Sequence, residues 1–578
     1  MQLYKQFCNE EFNSDNTLKS FKLKFEDNYN FGYDVLDKMA EKAPNDIALV
    51  WTNPEGEERI FTFADLSRLS NKAANVFLKY GIKKGDRVLL MLKRNYEYWY
   101  IVTALHKLGV VAIPATNMLT AEDISYRVNV ANIKMAVCTP DSETIEHLLT
   151  AANRENSLKT VFVAREDFDG TVNITKEIED ASDELERVET KADEPMLIYF
   201  TSGTTGYPKA VVHNHIYSLC HIISAKYWQN VKEGGLHFSI AETGWAKASY
   251  GKIYGQWLCG CAVMAFDFDK FSPSKILKVI EKFKVTSFCA PPTAYRYFVK
   301  KGMQKYDLSS LEYLTTAGEA LNPIVAEAVY QQTGLHPMEG YGQSETTLLI
   351  ANLNGTHGKT GSIGKPSPMY NIKLVDSNGD EVKQGETGEI VVVPPKDRKQ
   401  YGIFTGYIGD EQMYQYAWRN GMYHTNDTAY MDEDGYFWYV GRADDLIKTR
   451  GYRVGPFEIE NVLMKHPAVL ECAVIGVPDD SRGQAIKAII KTVDGCEADK
   501  NLVNEIKGFS NKRLASYKWI QYIEFTDTAV GGRKTHADNS GQFDITDHRS
   551  VEQMIADLTK NGYQAVIKDW EDPTLTHA

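Results

Sequence analysis

The sequence predicts an α/β protein: a large N-terminal domain of several subdomains on mostly parallel sheets, with a β-rich subdomain, then a smaller α+β C-terminal domain. Three observations predict it. Short apolar runs alternate with stretches of helical periodicity, the pattern that buries a parallel sheet beneath helices. After about residue 370 the texture turns to strands separated by polar turns. A polar turn, Gly441-Arg442-Ala443-Asp444-Asp445, then precedes a compact run of one helix and two strands.

The elements follow in order. Apolar and β-branched runs at 87–92, 110–114, 135–138, 160–164, 196–200, 285–290 and 313–317 read as buried strands. Segments 63–79 and 274–283 read as helices between them. Strands at 372–375 and 388–393 flank the turn Asp376-Ser377-Asn378-Gly379. Beyond Asp444-Asp445, 456–464 reads as a helix and 471–477 and 485–492 as strands. The expected domains are 1–443 and 444–530, with a tail at 531–578. In the tail, Ser550 and Gln553 form a capping box, and Val551, Met554, Ile555 and Leu558 share one helical face. Such a tail is expected to dock rather than wave in solvent.

The 578 residues are 43% hydrophobic and 24% charged, the balance of a globular protein. A net charge of -13 without a basic block argues against a nucleic-acid partner, though not against an anionic ligand held locally. Eight cysteines form no Cys-x-x-Cys pair and several lie in apolar runs, so buried thiols in a reducing compartment are expected. Cys259 and Cys261 have the spacing of a metal pair, but nothing nearby completes a ligand set. The first thirty residues carry no apolar signal core and no Arg-rich presequence. No apolar run is long enough to span a bilayer. A cytoplasmic protein without stable membrane insertion is expected.

The most informative segment is Thr201-Ser202-Gly203-Thr204-Thr205-Gly206-Tyr207-Pro208-Lys209, fed by the apolar run 196–200. Its hydroxyls donate, and Gly203 and Gly206 let backbone N–H groups converge on one anion. Lys209 adds a positive charge. This is the chemistry of a triphosphate cradle. It differs from the Gly-x-x-x-x-Gly-Lys-[Ser/Thr] loop, because no hydroxyl follows the lysine. A Gly/Thr turn after a strand is common, and the Pro-Lys at this spacing is what narrows the reading.

That loop resembles the signature of the adenylate-forming superfamily of acyl-CoA synthetases, luciferases and peptide-synthetase adenylation domains. Further motifs follow in the family's order: Ala317-Gly318-Glu319-Ala320, Tyr341-Gly342-Gln343-Ser344-Glu345-Thr346, Gly361-Ser362-Ile363-Gly364-Lys365-Pro366, Tyr423-His424-Thr425-Asn426-Asp427 and Gly441-Arg442-Ala443-Asp444-Asp445. The resemblance implies roles. Glu345 would bind Mg²⁺, a hard cation suited to carboxylate and phosphate oxygens, and Ser344 would meet the α-phosphate. Gly318, Glu319 and Ala320 would contact adenine. Asp427 would hold the ribose, with Asn426 standing where the family has glycine and tolerating a left-handed backbone. Arg442 would be a second nucleotide anchor and Asp444 the hinge of a mobile C-terminal domain. Gly451 and Arg453 would face the thiol acceptor.

The resemblance further implies two steps with ATP, Mg²⁺ and coenzyme A. A carboxylate attacks the α-phosphorus to give acyl-AMP, and the thiol of coenzyme A then displaces AMP. The segment Ala241-Glu242-Thr243-Gly244-Trp245-Ala246-Lys247 resembles the medium-chain acyl-CoA synthetase branch, with Trp245 and Lys247 lining the acid's pocket. Gly342 stands where acetate-specific members carry tryptophan, so an open pocket and an acid longer than acetate are expected. The family's closing Pro-Lys-Thr-x-x-Gly-Lys is missing after Asp527. Ungapped counting puts His536 at its catalytic position, and a shortened loop would put Lys534 there. Two other readings stay open: a nucleotide- or acyl-AMP-binding homologue impaired in adenylation, and a protein loading a carrier-protein thiol.

Overall fold

The computed structural model describes residues 2–201, 208–319, 321–398, 400–443, 446–449, 452–479, 482–493, 495–496 and 498–526. Outside them lie Ser202, Gly203, Thr204, Thr205, Gly206, Ala320, Asp444, Gly451 and Lys534, with the tail 531–578. The chain divides into two compact units. The larger comprises Met1–Glu386, Ile390–Thr425 and Met431–Trp438; the smaller comprises Thr387–Glu389, Asn426–Tyr430 and Tyr439–Ala578.

The larger unit is built on two long sheets. The first runs, in spatial order, Gly406–Tyr407, Lys209–Asn214, Pro195–Thr201, Val111–Pro114, Arg87–Met91, Met135–Cys138, Thr160–Val163 and Val172–Asn173. It is parallel from Pro195–Thr201 onward, while Lys209–Asn214 pairs antiparallel with both neighbours. The second is parallel across Pro337–Tyr341, Tyr313–Ala317, Ser287–Cys289, Leu236–Ser239, Ala262–Phe266 and Ile47–Thr52. The short apolar runs therefore do sit in sheets buried on both faces. Between them, the helix Phe63–Lys79 starts at a capping box in which Thr62 and Asp65 satisfy each other's backbone N–H.

Two strands differ most in length from their sequence reading. The run 285–290 pairs as a strand only over Ser287–Cys289, because the Val285 N–H closes the preceding helix on the Ile280 carbonyl. The strand expected at 471–477 extends over Val469–Asp479, because its ladder with Gly483–Thr492 continues to Asp479 opposite Gly483. Asn371–Val375, Gly388–Val393, Tyr423–Met431 and Phe437–Arg442 are strands, the β-rich texture seen after residue 370. In the smaller unit, the helices Pro456–Leu463 and Lys500–Asn511 accompany a sheet around Gly483–Thr492. No helix among the described residues is long and apolar enough to cross a membrane.

Candidate active site

The phosphate-loop strand Pro195–Thr201 and the following strand Lys209–Asn214 pair antiparallel, with Thr201 opposite Lys209. The two ends of the loop are thus fixed against each other by a sheet ladder. The Pro208 carbonyl accepts the Tyr126 hydroxyl at 3.0 Å. The Lys209 ammonium lies 5.7 Å from the ring centre of Tyr407. Tyr407 belongs to the edge strand that pairs with Lys209–Asn214, Val211 opposite Tyr407.

That tyrosine joins two motifs 136 positions apart in the chain, Lys209 and Glu345. Its hydroxyl donates to Glu345 Oε1 at 3.0 Å. The Glu345 carbonyl accepts the Phe404 N–H at 2.7 Å. One residue earlier, the Ser344 carbonyl accepts from His213 Nε2 at 2.7 Å. A carbonyl can only accept, so His213 holds its proton on Nε2; burial keeps the imidazole neutral by pushing its pKa down to about 4. The loop that carries Ser344 and Glu345 is therefore clamped to the strand leaving the phosphate loop.

The next part lies at the carboxyl ends of the second sheet's parallel strands, the usual place for a ligand crevice in such sheets. Ala317 pairs with Gly340, so Gly318 and the segment Tyr341-Gly342 emerge side by side. Gly318 has φ +100°, a conformation that favours glycine. Lys247 opens the short helix Lys247–Gly251, and its ammonium donates to the Ala317 carbonyl. Burial lowers the pKa of that lysine. The next residue of the turn, Glu319, is exposed. Below it, the buried Glu339 accepts the Leu321 N–H at 2.8 Å, and burial pushes its carboxyl up to about 8.

Gly342 requires a correction. A Cβ there would lie 2.6 Å from both the Thr347 carbonyl and the Tyr250 hydroxyl. The glycine does not leave an empty space: Tyr250, one helical turn after Lys247, fills it. The Tyr250 hydroxyl donates to the Thr346 carbonyl at 2.8 Å, locking the ring in place. Trp245 is 53% exposed, so it is not a core tryptophan.

In the smaller unit, Asp427 is buried and accepts the Tyr439 hydroxyl at 3.0 Å. Asn426 has φ +55° inside the strand Tyr423–Met431, the left-handed backbone expected of a residue standing in for glycine. Its N–H donates to Glu389 Oε1 at 3.0 Å, and its carbonyl accepts the Ala443 N–H at 2.7 Å. Arg442 ends the strand Phe437–Arg442, and Arg453 lies in the strand Tyr452–Val454. Cys259 and Cys261 are buried, and the Cys261 thiol donates to the Gly235 carbonyl at 3.3 Å.

The structure thus brings Thr201, Lys209, Ser344 and Glu345 into one assembly, and Lys247, Gly318 and Gly342 into another. Sequence reading missed Tyr407, His213 and Tyr250. Only Tyr250 gave a signal, its one-turn spacing from Lys247; the other two are joined to the site by pairings that no local pattern reveals.

These features define a class: an α/β protein in which a Gly/Thr-rich segment follows a sheet strand and a carboxylate is held beside its end. Residues 36–408 match the AMP-binding enzyme family and residues 458–531 match the AMP-binding enzyme C-terminal domain. The chain belongs to the AMP-binding enzyme family. It is 37% identical over 522 residues to the mitochondrial acyl-coenzyme A synthetase ACSM3 of Homo sapiens, covering 89% of each chain. It is also 37% identical over 503 residues to 4-hydroxybutyrate--CoA ligase 1 of Metallosphaera sedula, covering 86% of this chain and 87% of that protein. Among solved structures, the anthranilate CoA ligase AuaEII in complex with anthranoyl-AMP matches with a TM-score of 0.80 at 27% identity, over 88% of this chain and 95% of the other. Within the family, the protein is an acyl-CoA synthetase, an AMP-forming acid–thiol ligase.

Proposed function

We propose that this ligase activates a carboxylic acid longer than acetate through an acyl-AMP intermediate and passes the acyl group to coenzyme A. The observation that carries the reading is the assembly of Lys209, Tyr407 and Glu345. It sets a cation and a carboxylate on either side of one tyrosine, at the end of the phosphate loop. Attack of the acid's carboxylate on the α-phosphorus of ATP forms the acyl–phosphate bond and releases pyrophosphate. Negative charge builds on the phosphoryl oxygens in that step, and a preplaced cation lowers its cost. Lys209 supplies that charge, and Ser202, Gly203, Thr204, Thr205 and Gly206 supply donors in this reading. The Ser344 hydroxyl follows a carbonyl pinned by His213, so its position is fixed through the backbone.

Glu345 suits Mg²⁺: a half-buried carboxylate, oriented by a hydroxyl donor, is a hard oxygen ligand. One carboxylate is enough where phosphates and water complete the shell, and the ion would neutralise phosphate charge there. Adenine would stack near Gly318 and Glu319, and the ribose would meet Asp427. Arg442, Gly451 and Arg453 would serve the nucleotide and the thiol, with Asp444 as hinge and Lys534 as the adenylating lysine. Trp245 and Lys247 would border the acid, with Tyr250 rather than open space beside Gly342 setting its size. Cytoplasmic placement is part of the reading, supported by eight cysteines that are all free thiols; cell fractionation tests it, since the human relative is named mitochondrial.

The test is acid-dependent exchange of labelled pyrophosphate into ATP, followed by acyl-CoA formation. Exchange that needs acid and Mg²⁺, with AMP and acyl-CoA formed in equal amounts once coenzyme A is added, supports the proposal. ATP binding without exchange for any acid from acetate to octanoate and benzoate refutes it. Exchange without consumption of coenzyme A identifies a carrier-loading protein instead.

A further inference from the structure

The helix Lys247–Gly251 ends against a buried polar cluster that the reaction above does not use. Gln229, His237, Lys252 and Gln256 are all at most 1% exposed. Gln256 Nε2 donates to the Tyr250 carbonyl at 3.0 Å and to Gln229 Oε1 at 2.6 Å. Because the Tyr250 carbonyl can only accept, it fixes which way the Gln256 amide points. That amide in turn fixes Gln229. The result leaves Gln256 Oε1 and Gln229 Nε2 without a hydrogen-bond partner among the described residues. His237 Nδ1 meets the Ser287 hydroxyl at 2.7 Å, and its Nε2 has no partner there either. Neither has the Lys252 ammonium.

Two of these atoms converge. A Cβ at Gly251 would lie 3.1 Å from both Gln229 Nε2 and His237 Nε2, so both nitrogens face the one residue that has no side chain. The cluster also borders the acid's side of the site. Tyr250, whose carbonyl orients it, places its hydroxyl against Gly342. The buried Cys289 thiol is acted on most by Lys247 and least by Lys252, with the Gln229 amide beside it, so the cluster and Lys247 share one neighbour. An alkyl chain has nothing to offer such a surface. Buried polar atoms left unmet are costly, and an oxygen placed among them would offset that cost.

We propose that Gln229, His237, Lys252 and Gln256 form a polar subsite at the inner end of the acyl pocket, and that the acid activated here carries a hydroxyl or oxo oxygen remote from its carboxylate. This rests on the ligase reading and names its substrate class. An oxygen can accept from Gln229 Nε2 and His237 Nε2, and a hydroxyl can also donate to Gln256 Oε1. A site that hydrogen-bonds a substrate oxygen discriminates strongly against the analogue that lacks it.

The experiment uses the full-length protein and carbon-matched pairs: butyrate with 4-hydroxybutyrate, pentanoate with 4-oxopentanoate, and hexanoate with 6-hydroxyhexanoate. Binding is read by tryptophan fluorescence and turnover by AMP release with ATP, Mg²⁺ and coenzyme A. In at least one pair the oxygenated acid is expected to bind and react about ten-fold better or more. Gln229→Met, which leaves Gln256 its bond to the Tyr250 carbonyl, is expected to remove most of that preference. The wild-type ratios decide the matter even if the variant folds poorly. Equal or better binding of the unsubstituted acid in every pair overturns the subsite, leaving water as its occupant. A binding preference without AMP release for any acid instead overturns the ligase reading and leaves the subsite standing.

Discussion

Replacing Glu339 by glutamine tests how the turn at Gly318 and Glu319 is supported. Glu339 is 3% exposed, and burial raises its carboxyl from 4.5 to about 8, although the N–H groups of Leu321 and Gly361 favour the charged form. Between those pH values the unfolded chain has lost the proton and the folded chain keeps it. Stability from this group is therefore complete below pH ~4.5, falls as pH rises, and is gone by about pH 8. A rise of this size is worth up to about 5 kcal/mol across the window. Glutamine keeps an oxygen for the Leu321 N–H and never ionises. Glu339→Gln should therefore gain on wild type as pH rises from 5 to 8, and the difference should be constant above about 8. Urea unfolding at half-unit pH steps, followed by tryptophan fluorescence, measures it. Because Leu321 lies just beyond Gly318 and Glu319, the Kd for ATP should also rise near pH 8 in wild type and stay flat in the variant. Parallel stability curves for the two proteins would refute the reasoning.

Tyr407→Phe removes the donor to Glu345, and the variant should need more Mg²⁺ for half-maximal pyrophosphate exchange, with maximal exchange lowered by about ten-fold; an unchanged Mg²⁺ requirement separates Glu345 from the metal. Gly342→Ala should destabilise the larger unit by about 1–3 kcal/mol, since its Cβ meets two oxygens at 2.6 Å. Combining it with Tyr250→Phe should recover part of that loss, and urea midpoints of the single and double variants report it. Asn426→Val should cost about 1–2 kcal/mol and Asn426→Gly almost nothing, because φ is +55° there; equal unfolding midpoints for the two would contradict the backbone argument.

The sequence by itself determined the alternation of elements, because burial of a parallel sheet demands apolar runs and the capping of helices demands local side chains. Residues 63–79 were legible as a helix from their periodicity, and the helix spans Phe63–Lys79. The strand Pro195–Thr201 was legible because its apolar run is continuous, and Asn426 because its backbone requirement is local. Only the tertiary structure decided what depends on distant segments meeting. Tyr407 reaches Glu345 because a two-residue edge strand pairs with Lys209–Asn214, a register that no short-range pattern encodes. Gly342 reads in the sequence as missing bulk, but it is a glycine because Tyr250 from another element occupies the space. The polar floor of the acid's pocket draws on residues 229, 237, 252 and 256, unremarkable singly, and becomes a site only when folding removes water from all four together.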